Sequence, residues 1–200
     1  MNTQAFWDVI GNYNQTTLIW QCMILVLIIT SLILAYFQKV IWLPKITLGI
    51  TNLFIGIVFF LFYGTELIQT YFAAPLYIVT GFLFFYEAIK NKSSQFSKFG
   101  KVQWILLCLV FIYPIISFLL GRSFPQLTVY IMPCPIISLS IIVYSCYDNK
   151  NKLLLLLMTI WGLTGVKAFF VNALEDTILL ICGLYCLWIL IKELKHRQAL

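Results

Sequence analysis

Seven apolar runs joined by short polar connections dominate this chain and leave little freedom in its fold class. They extend approximately from Thr17 to Phe37, Ile46 to Thr65, Tyr71 to Ile89, Val102 to Leu120, Leu127 to Tyr147, Leu153 to Val171 and Thr177 to Ile191. Each is close to the ~20 residues that cross a hydrocarbon core about 30 Å thick as a helix. A membrane β-barrel would instead alternate apolar and polar residues along every strand. Hydrophobic residues make up 62% of the sequence and charged ones 10%, against roughly 45–50% and about 25% in soluble domains. A water-soluble fold of this length has no means of hiding that much apolar surface. The expectation is an all-α, polytopic membrane protein of about seven transmembrane helices, multi-pass in the cell inner (cytoplasmic) membrane, with membrane lipids as constant partners. Residues 1–16 read as a short outer interfacial segment, 17–191 as the transmembrane domain and 192–200 as a basic cytoplasmic tail.

Orientation follows from the cations between the runs. Lys39, Lys45, Lys90, Lys92, Lys98, Lys101, Lys150, Lys152, Lys192, Lys195 and Arg197 fall in one set of connections, and only Arg122 and Lys167 in the other. This bias places the first set in the cytoplasm, the N-terminus outside and the C-terminus inside. The net charge of +6 is then a matter of topology and of attraction to anionic headgroups. No basic, aromatic-rich surface outside the runs suggests nucleic acid. The first 16 residues hold Asp8 and no Lys or Arg, unlike a cleaved signal peptide, so the first run reads as an uncleaved anchor. Phe6, Val9, Ile10 and Tyr13, with Trp7 beside them and Thr3 as N-cap, recur at helical spacing and suggest a short helix lying in the outer interface.

Ionisable and special residues at membrane depth mark candidate sites. Lys167 lies well inside the sixth run, with Glu175 and Asp176 just beyond its end as partners for a snorkelling stem. Glu87 and Lys90, three apart, suit a local ion pair, and Glu66 at the outer boundary suits pairing with Arg122 or solvation. Pro133-Cys134-Pro135 predicts a disturbed helix in the outer half of the fifth run. The carbonyls freed there need a hydroxyl, a neighbouring helix, water or a ligand, and Cys134 would be presented at the break. The six cysteines (Cys22, Cys108, Cys134, Cys146, Cys182, Cys186) all fall within or at the ends of apolar runs, which argues against a disulfide framework. His196, in the tail, is the only histidine. That removes bis-histidine haem, His-based zinc and Ser-His chemistry, and no catalytic motif, cofactor motif or metal set is present. A faint repeat pairs Phe59-Phe60 and Glu66 with Phe169-Phe170 and Glu175, compatible with a three-plus-one-plus-three helix repeat.

Tyr13-Asn14, Tyr113-Pro114, Gly121-Arg122-Ser123-Phe124-Pro125, Pro133-Cys134-Pro135, Trp161, Gly162, Gly165, Asp176, Leu179 and Leu180 together resemble an uncharacterised bacterial family of small multi-span membrane proteins, a domain of unknown function sometimes labelled permease-like. Where the resemblance leads one to expect Gly-His-x-Tyr-Pro, this chain has Arg122 and Phe124, and Lys167 replaces a small residue. A looser similarity of topology and length links it to seven-helix carriers of vitamin precursors and sugars, at the level of fold only. The leading expectation is a small-molecule transporter or permease-like binder with a pocket in the outer half. Tyr13, Asn14, Glu66, Tyr113, Arg122, Pro133, Cys134, Pro135, Lys167, Glu175 and Asp176 would line it, for a small polar or zwitterionic solute. The alternative is a membrane accessory or stress protein that binds a lipid, quinone or partner helix without transport. An enzyme is not expected, and the sequence leaves homo-oligomerisation undetermined.

Overall fold

A computed structural model describes residues 3–92, 94–171 and 173–196. The described residues are mostly helical and contain no strand. Helix α1 runs unbroken from Thr3 to Tyr36, so residues 3–16 are not a separate element but the start of the first long helix. Helix α2, Leu43–Phe54, continues as a π-helix over Ile55–Phe62. A π-turn, Gln69–Ala73, leads into α3, Ala74–Lys90. Then come α4, Lys101–Phe111, and α5, Tyr113–Leu119, α6, Pro133–Ser145, and α7, Lys152–Leu163, extended by a 3-10 turn over Thr164–Lys167. Short α8, Ala168–Val171, and a second 3-10 turn, Leu174–Asp176, precede α9, Thr177–His196.

Among the described residues, four helices are long and apolar enough to cross a membrane: Phe6–Tyr36, Leu43–Phe62, Gln69–Lys90 and Leu174–Lys195. A fifth crossing results if α4 and α5, bent by 43° at Ile112, form one span. The bend falls just before Pro114, which cannot donate to the preceding turn. The fifth and sixth apolar runs behave differently from the rest. Only 13 residues of the fifth are helical, as α6, about 20 Å at 1.5 Å per residue. The sixth is divided among α7, a 3-10 turn and α8.

Burial explains why α6 is short yet apolar all round. Every residue from Pro135 to Tyr144 is buried, enclosed by α2, α4, α7 and α9, as expected of a helix that is hydrophobic on all faces. Helix α1 shows the opposite pattern. Gln21, Ile24, Ile28, Ser31 and Ala35 form a buried stripe at helical spacing, while Ile19, Trp20, Met23, Val26, Leu27 and Ile33 stand exposed. A continuous exposed apolar face of this size is untenable in water and suits a bilayer.

The proline triplet does not break a helix; it starts one. Pro133 opens α6 and Pro135 lies in its first turn, where backbone N–H groups have no intrahelical acceptor and a missing donor costs nothing. The irregular stretch lies before it, over 120–132. Its carbonyls are met by hydroxyls: Tyr13 donates to Ile131 (2.6 Å) and Tyr77 to Pro133 (2.6 Å). Asn14 Nδ2 donates to the carbonyls of Pro125 (2.7 Å) and Leu127 (2.8 Å).

Two close crossings set the remaining packing. A Cβ added at Gly162 of α7 would lie 2.5 Å from the Gly183 Cα of α9, and one at Gly183 would lie 2.5 Å from the Gly162 carbonyl carbon. Gly49 of α2 and Gly81 of α3 approach similarly, with a Gly81 Cβ falling 2.9 Å from the Gly49 oxygen. Small residues at such points let helix backbones meet where lipid gives no hydrophobic drive to pack. The polar connections gather at two ends. At one, Gln38 donates to Phe96 O, Ser97 N to Cys146 O and Tyr147 Oη to Ile41 O, which joins the Lys-bearing segments. At the other, the start of α1, the 122–131 stretch and the Leu174–Asp176 turn meet.

Candidate functional site

A cavity of about 310 Å³ lies among α1, the π-wound end of α2, the π-turn before α3, the start of α6, the end of α7 and the start of α9. Its walls are aromatic: Phe6, Trp7, Phe59, Phe60, Phe72 and Trp161. The rings hold one another edge to face, except for the tilted pair Phe60–Tyr77. Phe60 meets Trp161 at 5.4 Å and Tyr77 at 5.2 Å, Tyr77 meets Trp161 at 5.0 Å, and Phe59 meets Tyr13 at 4.9 Å. Such contacts favour one arrangement of rings over a merely greasy pocket. The wide winding of Ile55–Phe62 buries both neighbours Phe59 and Phe60. π-Turns of this kind recur where function needs a helix face re-aimed.

Polar groups are few and specific. Asp176 Oδ1 accepts from Tyr113 Oη and Oδ2 from the Cys134 thiol, both at 3.3 Å. Behind this pair, Thr128, itself in the wall, donates to Glu175 Oε1 at 2.8 Å. Glu175 is buried and its Oε2 has no hydrogen-bond partner among the described residues. The indole N–H groups of Trp7 and Trp161, both in the wall, are also buried without an acceptor among those residues. An unmade bond to a buried polar group costs about 1–3 kcal/mol. Three such atoms around one cavity therefore stand out.

A family model, family of unknown function DUF6064, matches residues 3–199. The chain belongs to DUF6064. No curated protein and no solved structure matches it. The landmarks that suggested an uncharacterised family thus led to a family without an assigned role, and the DUF6064 match carries no statement about permease activity.

Of the eleven sequence candidates in this DUF6064 protein, six line the cavity: Glu66, Pro133, Cys134, Pro135, Lys167 and Asp176. Tyr113 joins them through Asp176, and Glu175 through Thr128. Tyr13 and Asn14 are buried and spent on the carbonyls of the 125–131 stretch, so they build the site's frame. Arg122 lies with its guanidinium 3.7 Å from the centre of the Trp7 ring, a cation–π contact, and makes no ion pair with Glu66 among the described residues. Lys167 is exposed at the rim and, among those residues, pairs with neither Glu175 nor Asp176. The proposed repeat finds unlike surroundings: Phe59 is buried, whereas Phe169 is exposed.

Sequence reasoning passed over the aromatic wall, since aromatic residues are spread through every apolar run and nothing local marks those that converge. It also passed over Lys45, counted as a surface cation but fully buried. Lys45 Nζ donates to the carbonyls of Asn91 (3.1 Å) and Glu87 (3.4 Å) and lies 4.3 Å from the Tyr147 ring centre. One signal was available. A lysine in the first turn of a helix opposes the macrodipole, so Lys45 needed a partner, and it finds one in the carbonyl-rich C-terminal end of α3. Glu87 correspondingly accepts from Asn91 (2.8 Å), while Lys90 donates to Tyr86 Oη instead of pairing with Glu87.

Proposed function

We propose that the protein is a membrane-embedded, permease-like binder of a small, largely apolar molecule that carries hydrogen-bonding groups, held in the aromatic cavity. The observation that carries this reading is the pair of buried indole N–H groups, on Trp7 and Trp161, in the wall of a largely apolar cavity and without acceptors among the described residues. A ligand with a carbonyl, ether or hydroxyl oxygen would satisfy them. The chemistry differs from the small polar or zwitterionic solute expected from the charges alone, since six aromatic rings stand in a largely apolar wall. The basic connections face the cytoplasm in this reading, the cavity lies in the outer half of the bilayer, and the membrane is the cell inner membrane, crossed about seven times if α6 and the α7–α8 segment count as spans. Clustering of the Lys-bearing segments at one end of the bundle supports that orientation.

The test is saturable quenching of tryptophan fluorescence when a panel of aromatic alcohols, ketones and amines is added to the protein in nanodiscs, with Trp161→Phe as control. Uptake into proteoliposomes of any molecule that binds separates a transporter from a binder. A lipid-binding accessory role is favoured instead if native mass spectrometry shows a retained lipid that the panel does not displace. Orientation is read separately by fusing a fluorescent protein to the C-terminus, expected to fluoresce only on the cytoplasmic side.

A further inference from the structure

We infer that the molecule held in this cavity is a small organic cation, an amine or quaternary ammonium on a body that also carries an oxygen acceptor for the indole N–H groups, with Asp176 as its counter-charge. The inference rests on the binding role proposed above and adds the charge of the ligand. Three acidic or basic side chains line the cavity: Glu66, Lys167 and Asp176. Lys167, exposed at the rim, offsets Glu66 in net charge, which leaves Asp176 as the surplus. Asp176 makes no ion pair among the described residues. Its two partners, Tyr113 Oη and the Cys134 thiol, are neutral donors, and Glu175, the next residue, adds a second buried acid.

A carboxylate in an apolar, ring-lined space is expensive unless a cation or proton neutralises it. The ring faces point to the cation. Their negative quadrupoles attract ammonium and guanidinium groups within about 6 Å, most strongly when these are desolvated. The described residues already use that attraction at five places, the two shortest being Arg122 over Trp7 at 3.7 Å and Lys45 over Tyr147 at 4.3 Å. Trp161, Phe59, Phe60 and Phe72 supply further ring surface around the same space as Asp176. A ring-walled pocket whose two carboxylates, Glu66 and Asp176, outnumber its one cation matches an organic cation better than an inorganic ion, because there are too few oxygen donors to replace a hydration shell.

2-Phenoxyethylamine, charged at pH 7, and its neutral isostere 2-phenoxyethanol, both with an ether oxygen for the indoles, are titrated into the full chain in nanodiscs of zwitterionic lipid, and tryptophan quenching is read against Trp161→Phe. Choline phenyl ether, which has the same ether oxygen and no N–H to donate, is the third probe. The expected result is about tenfold tighter saturable binding of both cations than of the alcohol. Asp176→Asn should remove that preference, bringing amine and alcohol to similar affinity, and Asp176→Glu should keep it. Equal affinity of amine and alcohol for the wild-type protein overturns the charge inference and leaves the binding role standing; this comparison needs no variant to fold. Unchanged amine preference in a folded Asp176→Asn protein also overturns it. Saturable binding by none of the three probes overturns both readings.

Discussion

Replacing Gly162 by alanine tests whether the α7–α9 crossing holds the site together. In an exposed helix, Gly→Ala stabilises by about 0.5–1 kcal/mol, since alanine has less backbone freedom to lose. At Gly162 the new Cβ would lie 2.5 Å from the Gly183 Cα and 3.2 Å from its nitrogen, whereas carbon atoms rest at about 3.5–4.0 Å. Both colliding groups are backbone, so no side-chain rotation relieves the overlap, and the helices must part by roughly 1 Å. A gap of that size forfeits a quarter to a half of each contact along the seam, and overpacking of this kind costs about 1–3 kcal/mol. Offset by the helix-propensity gain, the expected net loss is about 1–2 kcal/mol. Gly183→Ala should lose a similar amount, and the double variant less than the sum, because the first substitution has already opened the seam. Equilibrium unfolding in mixed micelles with increasing denaturing detergent, followed by tryptophan fluorescence, measures each value. A single substitution that is neutral or stabilising would refute the close crossing. The same variants should weaken ligand binding, since Trp161 precedes Gly162 and Asp176 stands at the foot of α9.

Tyr77→Phe should destabilise by about 1–2 kcal/mol, because it strands the Pro133 carbonyl at the cavity edge; an unchanged unfolding midpoint would sink this. Lys45→Met, which keeps most of the volume and removes the charge, should cost about 3 kcal/mol or more. Combining it with Glu87→Gln should cost less than the sum, and strict additivity would show that the two buried groups do not act together. Among the cysteines, Cys134 lines the cavity while Cys146, Cys182 and Cys186 are buried. A small membrane-permeant thiol reagent should therefore modify Cys134 in the folded protein and spare those three until unfolding, and a bound amine should slow the Cys134 reaction. Lys167→Gln removes the one rim cation of the cavity wall and should tighten binding of organic cations about two- to threefold, screened by salt as expected of an exposed charge; weaker binding would speak against a cationic ligand.

The helical class and the presence of apolar helices long enough to cross a membrane were legible in the sequence, because composition and run length report them directly. The interior of the fifth and sixth runs was not. Hydropathy counts Pro133–Ser145 as it counts a lipid-facing span, yet those residues are apolar because helices enclose them. The proline triplet was visible, but its role depended on register: one turn further along, Pro135 would break α6 instead of starting it. Asp176, Cys134 and Tyr113 were each visible as candidates, while their meeting at 3.3 Å is a product of tertiary packing between α5, α6 and the Leu174–Asp176 turn. Trp7 and Trp161 are 154 positions apart, and no local pattern brings two such indoles to one cavity.

The location of the cavity follows from where regular helix ends. Ile55–Phe62 and Gln69–Ala73 are π-wound, Thr164–Lys167 and Leu174–Asp176 are 3-10, and 120–132 is largely without helix. These are the segments that surround the cavity or carry its polar groups. Irregular backbone at membrane depth is tolerated only inside protein or beside a cavity, since lipid offers no partners to its N–H and C=O groups. Tyr13, Asn14 and Tyr77 provide those partners for 125–133, which frees Asp176, Thr128 and the two indoles from framework duty. A long straight helix would have consumed the same length of chain without placing a carboxylate among rings. The irregular half of this bundle is thus stabilised by hydroxyl and amide donors remote in sequence, and that support allows a polar floor to exist inside an apolar wall.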